Sequence, residues 1–510
     1  MKNQQLLPFA RMVRNLGISL TAGLAIGGCA VGPDFKTPEP PAAAGSSYTP
    51  TPMPAQTDSA KGLGGDAQRF VAGQDIPAEW WTVYHSPELD RLVRAAFEHN
   101  PNLEAAQAAL RQARESLKAE TGSRLFPSVD GQLGAERERA SGISTFIPGG
   151  VDLNVFTAAV NVSYTLDVFG AARRELEGLR AAVDYQRYQL EATYITLSSN
   201  VVVTAIRDAS LRAQLKATNE VLDSQLKELG VIEKQFAIGA IPRNTLLTQR
   251  NQVAQTRASL PPLEKALAQT RHQLSVYVGK LPSESGLPEF DLATLQLPQE
   301  LPVSLPSNLL RQRPDVRASE ALLHEANAQV GVATANLYPQ FTLSAAYGSE
   351  ALKPDQLFSG PAGFWSLAGG LTQPIFHAGA LDAKRKAAIA AYEQANAQYR
   401  STVLTAFQNV ADTLRALESD ATALKAQTEV EALAQESMEL SSKQYRLGGV
   451  SYLTLLDAER VYQQSHVNLV QAQAARYSDT AALFQALGGG WWNRPALADA
   501  DAPAAADKKN

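Results

Sequence analysis

The most regular pattern in the first part of the chain is strict alternation. From Val155 to Phe169, Phe156, Ala158, Val160, Val162, Tyr164, Leu166 and Val168 stand against Val155, Thr157, Ala159, Asn161, Ser163, Thr165 and Asp167. One face is apolar and the other, Val155 apart, is small or polar. Period two predicts a strand with one greasy and one wet side. At ~3.3 Å per residue the run is long enough to cross a bilayer at a tilt. Soluble sheets alternate too, so the meaning of this segment depends on others like it, and three more are present. Val129, Leu133 and Ala135 alternate with Ser128, Asp130, Gln132 and Gly134. Phe341, Leu343, Ala345 and Tyr347 alternate with Thr342, Ser344 and Ala346, and Trp365, Leu367, Leu371 and Ile375 with Ser366, Ala368, Gly370 and Thr372. Strands are predicted near 124–136, 154–169, 338–348 and 364–376.

Between the strand pairs the period changes. Leu190, Tyr194, Leu197, Val201, Thr204, Asp208, Leu211, Leu215, Thr218, Leu222, Gln225, Leu229, Ile232 and Phe236 are spaced alternately by four and three, a heptad seam. It predicts a helical rod with a left-handed supercoil against a neighbour. Asp208 and Thr204 in mid-seam imply that part of this surface meets water or a polar partner. The rod turns at Ile238-Gly239-Ala240-Ile241-Pro242, and a return helix follows to Tyr277, with an interruption expected at Pro261-Pro262. The plan then recurs. A helix over 306–336 and two strands precede a second seam through Val403, Phe407, Val410, Leu414, Leu417, Ala421, Leu424, Met438 and Tyr445. A turn at Leu447-Gly448-Gly449-Val450 leads to a return helix over 453–487. Phe236 and Tyr445, Gly239 and Gly448, and Leu246 and Leu455 correspond at one constant offset, so the chain reads as two copies of one half.

Composition narrows the class. The chain has 510 residues, 45% hydrophobic and 19% charged, with a net charge of -5, which gives no support to nucleic-acid binding. Its single cysteine, Cys29, excludes an intrachain disulfide. Lys2, Arg11 and Arg14, an apolar run from Leu16 to Ile26 and Gly27-Gly28 give residues 1–28 the layout of a secretory signal. Ile26-Gly27-Gly28-Cys29 resembles a bacterial lipobox, which implies acylation of Cys29; Ala30 after it resembles signals sorted to the outer membrane. The competing reading is an ordinary signal with an incidental thiol. The Pro/Ala/Ser-rich stretch 29–75 reads as an extended tether. Then come repeats over 76–290 and 291–492 and a polar tail over 493–510. Past the signal no apolar run is long enough for a spanning helix, so a membrane crossing requires strands closed into a barrel. His85, His99, His272, His324, His377 and His466 show no metal-ligand spacing, and neither a nucleophile elbow nor a phosphate loop is present. No cofactor and no enzymatic activity are expected.

Four strands per chain leave two raw edges, which several chains about a rotation axis can close. Polar faces inward and apolar faces outward then make a water-filled lumen. At this point the chain resembles the TolC-like outer-membrane efflux proteins, in their lipoprotein NodT-type branch. The matching segments are Cys29-Ala30-Val31-Gly32-Pro33-Asp34-Phe35, Trp80-Trp81, Asn100-Pro101-Asn102-Leu103, Arg313-Pro314-Asp315-Val316, Ala326-Asn327-Ala328, Tyr338-Pro339 and Leu455-Leu456-Asp457-Ala458. The resemblance implies an α+β membrane protein, a homotrimer whose twelve-stranded barrel continues into a helical coiled-coil tunnel. It also implies outer-membrane localisation, a lipid anchor, a periplasmic adaptor and an inner-membrane pump of the RND type. The alternatives are a type I secretion channel and a non-conducting coiled-coil lipoprotein that braces the envelope.

Two sites follow. The hairpin tips, Gly239 on one side and Arg446, Leu447, Gly448, Gly449 and Ser451 on the other, are candidates for adaptor docking, although turn chemistry by itself explains the glycines. Above the second tip, Leu453, Asp457 and Arg460 share one helix face, which rotational symmetry would repeat as rings. The resemblance puts Asp457 at the aperture of such channels; the second acid common there is Thr454 here. The competing reading is an Asp457 salt bridge within one chain.

Overall fold

The computed structural model of the chain describes residues 30–39, 47–141, 150–284 and 286–494. The expected signal peptide over 1–28, Cys29 and all but the first two residues of the expected tail over 493–510 lie outside the described residues. The main elements, in chain order, are β1 (Arg69–Ala72), α1 (Pro87–His99), α2 (Pro101–Leu125), β2 (Ser128–Ala140), β3 (Val151–Leu166), α3 (Ala171–Ala237) and α4 (Arg243–Tyr277). They continue with β4 (Glu300–Val303), α5 (Pro306–Gln312), α6 (Pro314–Ala335), β5 (Gln340–Ala351), β6 (Gly363–Thr372), α7 (Ala380–Arg446) and α8 (Tyr452–Ala486). The chain divides into two compact units.

One unit comprises Met1–Pro38, Ala109–Arg187 and Ala318–Arg400. Its centre is an antiparallel sheet in the order β2-β3-β5-β6. The register aligns the alternation of all four strands. Val129 lies opposite Val162, Val162 opposite Ala345 and Ala345 opposite Leu367. Ser128, Ser163, Ser344 and Ala368 form the corresponding row on the other face. Directly opposed residues share a face, so each period-two pattern becomes a sheet-wide apolar or polar surface. Strand ends differ from expectation for local reasons. β2 starts at Ser128 because α2 continues through Gly122 to Leu125, where Arg124 pairs with Glu120 at 2.7 Å and Glu175 at 2.9 Å. β3 stops at Leu166 because the Asp167 carboxylate accepts the N–H groups of Ala172 and Arg173, opening α3. β6 stops before Pro374, which has no N–H to give a ladder.

The segment after Cys29 is clasped to this unit rather than left as a tether. Val31 N–H donates to Phe169 O at 3.1 Å, and Asn327 Nδ2 donates to Pro33 O at 3.0 Å. Buried Arg174 bridges to Asp34 at 2.6 Å and Glu177 at 2.8 Å, while Phe35 stacks on His324 with centroids 4.2 Å apart. Gly32, at φ +99°, lies so close to Gly331 that an added Cβ would come within 2.6 Å of its Cα.

The other unit comprises Glu39–Ala108, Tyr188–Arg317 and Ser401–Asn510. Here most heptad positions face inward: Leu190, Tyr194, Leu197, Val201, Thr204, Asp208, Leu211, Thr218, Gln225 and Ile232 are buried, Leu215, Leu222 and Leu229 half-buried, and Phe236 near the tip exposed. Asp208 meets no water. It is fully buried, paired with Arg212 at 2.8 Å and Arg271 at 3.6 Å, so the polar partner lies within the chain. α4 runs uninterrupted through Pro261 and Pro262, both exposed, where carbonyls freed by the missing N–H groups can be solvated. Residues 47–75, also expected to be extended, are pinned too. β1 pairs in parallel with β4, a small sheet that short runs gave no reason to expect. Buried Arg476 donates to Gly64 O at 2.6 Å, Asp66 O at 3.1 Å and Gln68 Oε1 at 3.0 Å.

The two helical hairpins are equal in size. α3 and α7 each have 67 residues and α4 and α8 each have 35.

Candidate functional site

The apolar face of the sheet is exposed. Leu133 is 84% exposed and Trp365 76%. Val129, Tyr347, Leu367 and Leu371 are exposed with them. Isolated exposed hydrophobics are ordinary, but a contiguous face of this kind marks a surface covered by something apolar. Strands of 13, 16, 12 and 10 residues meet the ~9–11 that a tilted bilayer crossing needs. Among the described residues, no strand pairs with the outer edge of β2 or of β6.

The tips of the hairpins are built alike. Gly239 and Gly448 both adopt φ +76° with open space around the missing Cβ. Gly239 N–H donates to Phe236 O at 2.9 Å and Ala240 N–H to Gln235 O at 2.9 Å; Gly448 donates to Tyr445 O at 3.0 Å and Gly449 to Gln444 O at 2.8 Å. Both helices therefore end on the same left-handed glycine cap, which satisfies their last carbonyls. Ser451 starts α8 as its N-cap, its Oγ accepting the Thr454 N–H at 3.2 Å. Leu447 at the tip is 87% exposed and Arg446 is exposed beside it. Leu453 also faces out, and exposed Asp457 accepts a 2.9 Å bond from Arg460 Nη2 on the same helix. The within-chain salt bridge is thus present.

Just above the tips the two hairpins are joined by groups that the pattern of the sequence did not single out. Tyr452 OH donates to Gln249 Oε1, and Gln249 Nε2 donates to Gln225 O at 3.0 Å. Glu228 on α3 and Glu459 on α8 face each other and are hydrogen-bonded through their partly buried carboxyls. Burial, and then the Glu228 charge, push the Glu459 carboxyl up to about 8, so a proton is held between the pair at neutral pH. Asp479 is pushed up to about 7 by burial and its bond to Asp420. The available signal was Gln225, an amide on an apolar seam.

Two of the recognised motifs prove to be caps. Asn100 Oδ1 accepts the N–H of Asn102 at 3.0 Å, opening α2, while its Nδ2 donates to Tyr277 O at 2.9 Å, closing α4. Arg313 bonds Asp315 at 2.6 Å beside the start of α6 and donates to Ala486 O at 3.1 Å, closing α8. Among the described residues no group of three or more His, Cys, Asp or Glu is placed to hold a metal ion, and no helix is long and apolar enough to cross a membrane.

This architecture has known counterparts. The model of the outer membrane efflux protein family matches residues 92–280 and 305–489, one stretch for each hairpin-bearing half. The chain belongs to the outer membrane efflux protein family. Among its relatives, the pyoverdine export outer membrane protein OpmQ of Pseudomonas aeruginosa is 33% identical over 452 residues, covering 86% of this chain and 93% of that protein. The toluene efflux pump outer membrane protein TtgC of Pseudomonas putida is 29% identical, over 96% of this chain and 98% of its own. The solved outer-membrane channel OprN superposes with a TM-score of 0.80 at 27% identity, over 91% of this chain and 100% of that channel. This efflux protein is therefore an outer-membrane channel component of an efflux system, as its sequence led us to expect, and its outer-membrane localisation follows.

Proposed function

We propose that three copies of the chain close their four-stranded sheets into a twelve-stranded barrel, the hairpins forming a periplasmic coiled-coil tunnel. The assembly is a passive duct for small molecules. The observation that carries this reading is the contiguous exposed apolar face of a sheet whose two outer edges pair with no strand among the described residues. A bilayer covers the face and neighbouring copies pair the edges. A bracing lipoprotein would have no use for either. The count of three comes from the family, and relatives named for pyoverdine and toluene export support a small-molecule cargo. The equal hairpins, each matched separately by the family model, support a duplication. Gly239, Arg446, Leu447, Gly448, Gly449 and Ser451 meet a periplasmic adaptor, which couples the duct to an RND-type pump. Acylated Cys29 anchors the chain, and the clasp to the sheet-bearing unit begins at Val31, two residues after that cysteine. Leu453 and Asp457, with Arg460, form the aperture.

Conductance in planar bilayers tests the reading, comparing wild type with Asp457→Ala. Discrete cation-selective openings are expected, with larger and less selective ones in the variant. Folded protein that opens in neither form would overturn it.

A further inference from the structure

We infer that a cavity between α3, α7 and α8 is a binding site for a small organic cation, a protonated amine with an apolar body and an oxygen acceptor. The cavity has a volume of about 200 Å³ and lies within the hairpin-bearing unit, above the tips. Val221, Met438 and Val467 give it an apolar wall, and Glu220, Gln225 and Glu459 supply polar atoms. Gln225 points to a ligand. It is 2% exposed, lines the cavity, and neither its Nε2 nor its Oε1 has a hydrogen-bond partner. An amide left in this state costs about 1–3 kcal/mol per orphaned group, so its burial makes sense if something in the cavity bonds it. Its backbone is fixed meanwhile by the bond from Gln249.

The charge of the surroundings selects the ligand. Glu220 and Glu228 face this region from α3, Glu431, Glu439 and Tyr445 from α7, and Glu459, Tyr452, Tyr462 and His466 from α8. α4 offers the neutral Gln249. No Lys or Arg lines the cavity, and its imidazole, His466, is already engaged with Glu431 at 3.0 Å. The carboxyls are not grouped to hold a metal ion. A monovalent ammonium suits them: it donates to Glu459 Oε2 and Gln225 Oε1, lies near the Tyr462 ring, and presents an oxygen to Gln225 Nε2. In binding it displaces the proton shared by Glu228 and Glu459, which passes to solvent.

The test is calorimetric titration of the full-length protein in detergent with 2-amino-1-phenylethanol, which stays protonated over the range used, against the neutral 1-phenylethanol and a detergent blank. Saturable binding of the amine is expected, at least about tenfold tighter near pH 8 than near pH 6 because the shared proton must leave. Glu459→Gln should weaken it at least about tenfold, the loss expected for one charged hydrogen bond. Met438→Trp, which fills the cavity, should abolish it with helical circular dichroism unchanged. Equal binding of the neutral alcohol, unaltered binding by both variants, a flat pH profile, or no binding by folded wild type would each overturn the inference. Its failure leaves the conductance result untouched, because the site requires no open duct.

Discussion

Asn100 donates its amide hydrogen to the carbonyl of Tyr277, and Arg313 its guanidinium hydrogen to that of Ala486, the last residues of α4 and α8. Each also serves the start of the helix that follows its own proline, Arg313 through Asp315. One side chain thus relieves orphaned groups at two helix ends, and it does so in a buried setting where water cannot substitute. Asn100→Ala and Arg313→Ala should each lower unfolding free energy by about 1–3 kcal/mol, read as a lower thermal midpoint by circular dichroism. An unchanged midpoint would mean the caps are idle. Glu459 makes a prediction with a sign. Its carboxyl is raised to about 8 in the folded chain, so between the ordinary glutamate range and that value the folded state holds a proton that the unfolded state has released. Stability therefore falls as pH rises through this window. Glu459→Gln should flatten the decline between about pH 6 and about pH 8 and be the more stable protein at the upper end. A variant that follows the wild-type pH profile would show that the pair holds no proton.

Elements were legible in the sequence to the degree that their cause is periodic. Alternation found all four strands of the large sheet because each has one wet and one apolar face, and the heptad spacing found both long helices because their seams are buried over most of their length. What escaped lacks a period. β1 and β4 have four residues each, and the stretch around them is held by Arg476, whose partners lie some four hundred residues away in sequence. The clasp at Val31 to Phe35 depends on a buried arginine and a glycine contact that composition cannot express; a proline-rich stretch looked merely extended. The tip residues were legible as turn formers, but a glycine cap looks the same whether or not a partner meets it. Substitution separates the two. Gly239→Val or Gly448→Val forces a β-branched residue to φ +76° in open space, at about 1–2 kcal/mol of purely local backbone strain. If the tips dock an adaptor, these variants should form the outer-membrane assembly normally yet lose drug resistance in cells carrying the cognate pump. Wild-type resistance in both would confine the glycines to turn chemistry.

At the scale of the whole molecule, the apolar face of the sheet and its free edges need one explanation. β2 and β6 each carry a ladder of backbone groups on the outer side with no partner strand among the described residues, and an open four-stranded sheet in hydrocarbon would leave those groups unsatisfied. Closure through copies of itself supplies the missing partners without a new surface, and it places Asp130, Gln132, Asn161, Ser163, Thr342 and Ser344 on an inner, wet side. The closure makes a specific prediction, because β2 of one copy must then lie beside β6 of the next. In a Cys29→Ala background, Gln132→Cys is combined in turn with Ser366→Cys, Ala368→Cys and Gly370→Cys, all on the inner face, so that three successive staggers about the middle of β6 are covered. Cα atoms of opposed residues in neighbouring strands stand ~4.5–5.5 Å apart, within disulfide reach. Oxidised membranes run on denaturing gels should give a ladder that ends at three chains in the matching pair and collapses on reduction. A ladder ending at another number would keep the closed sheet and change its symmetry. Monomer alone from all three pairs, in protein that reaches the outer membrane, would leave both edges free and remove the barrel.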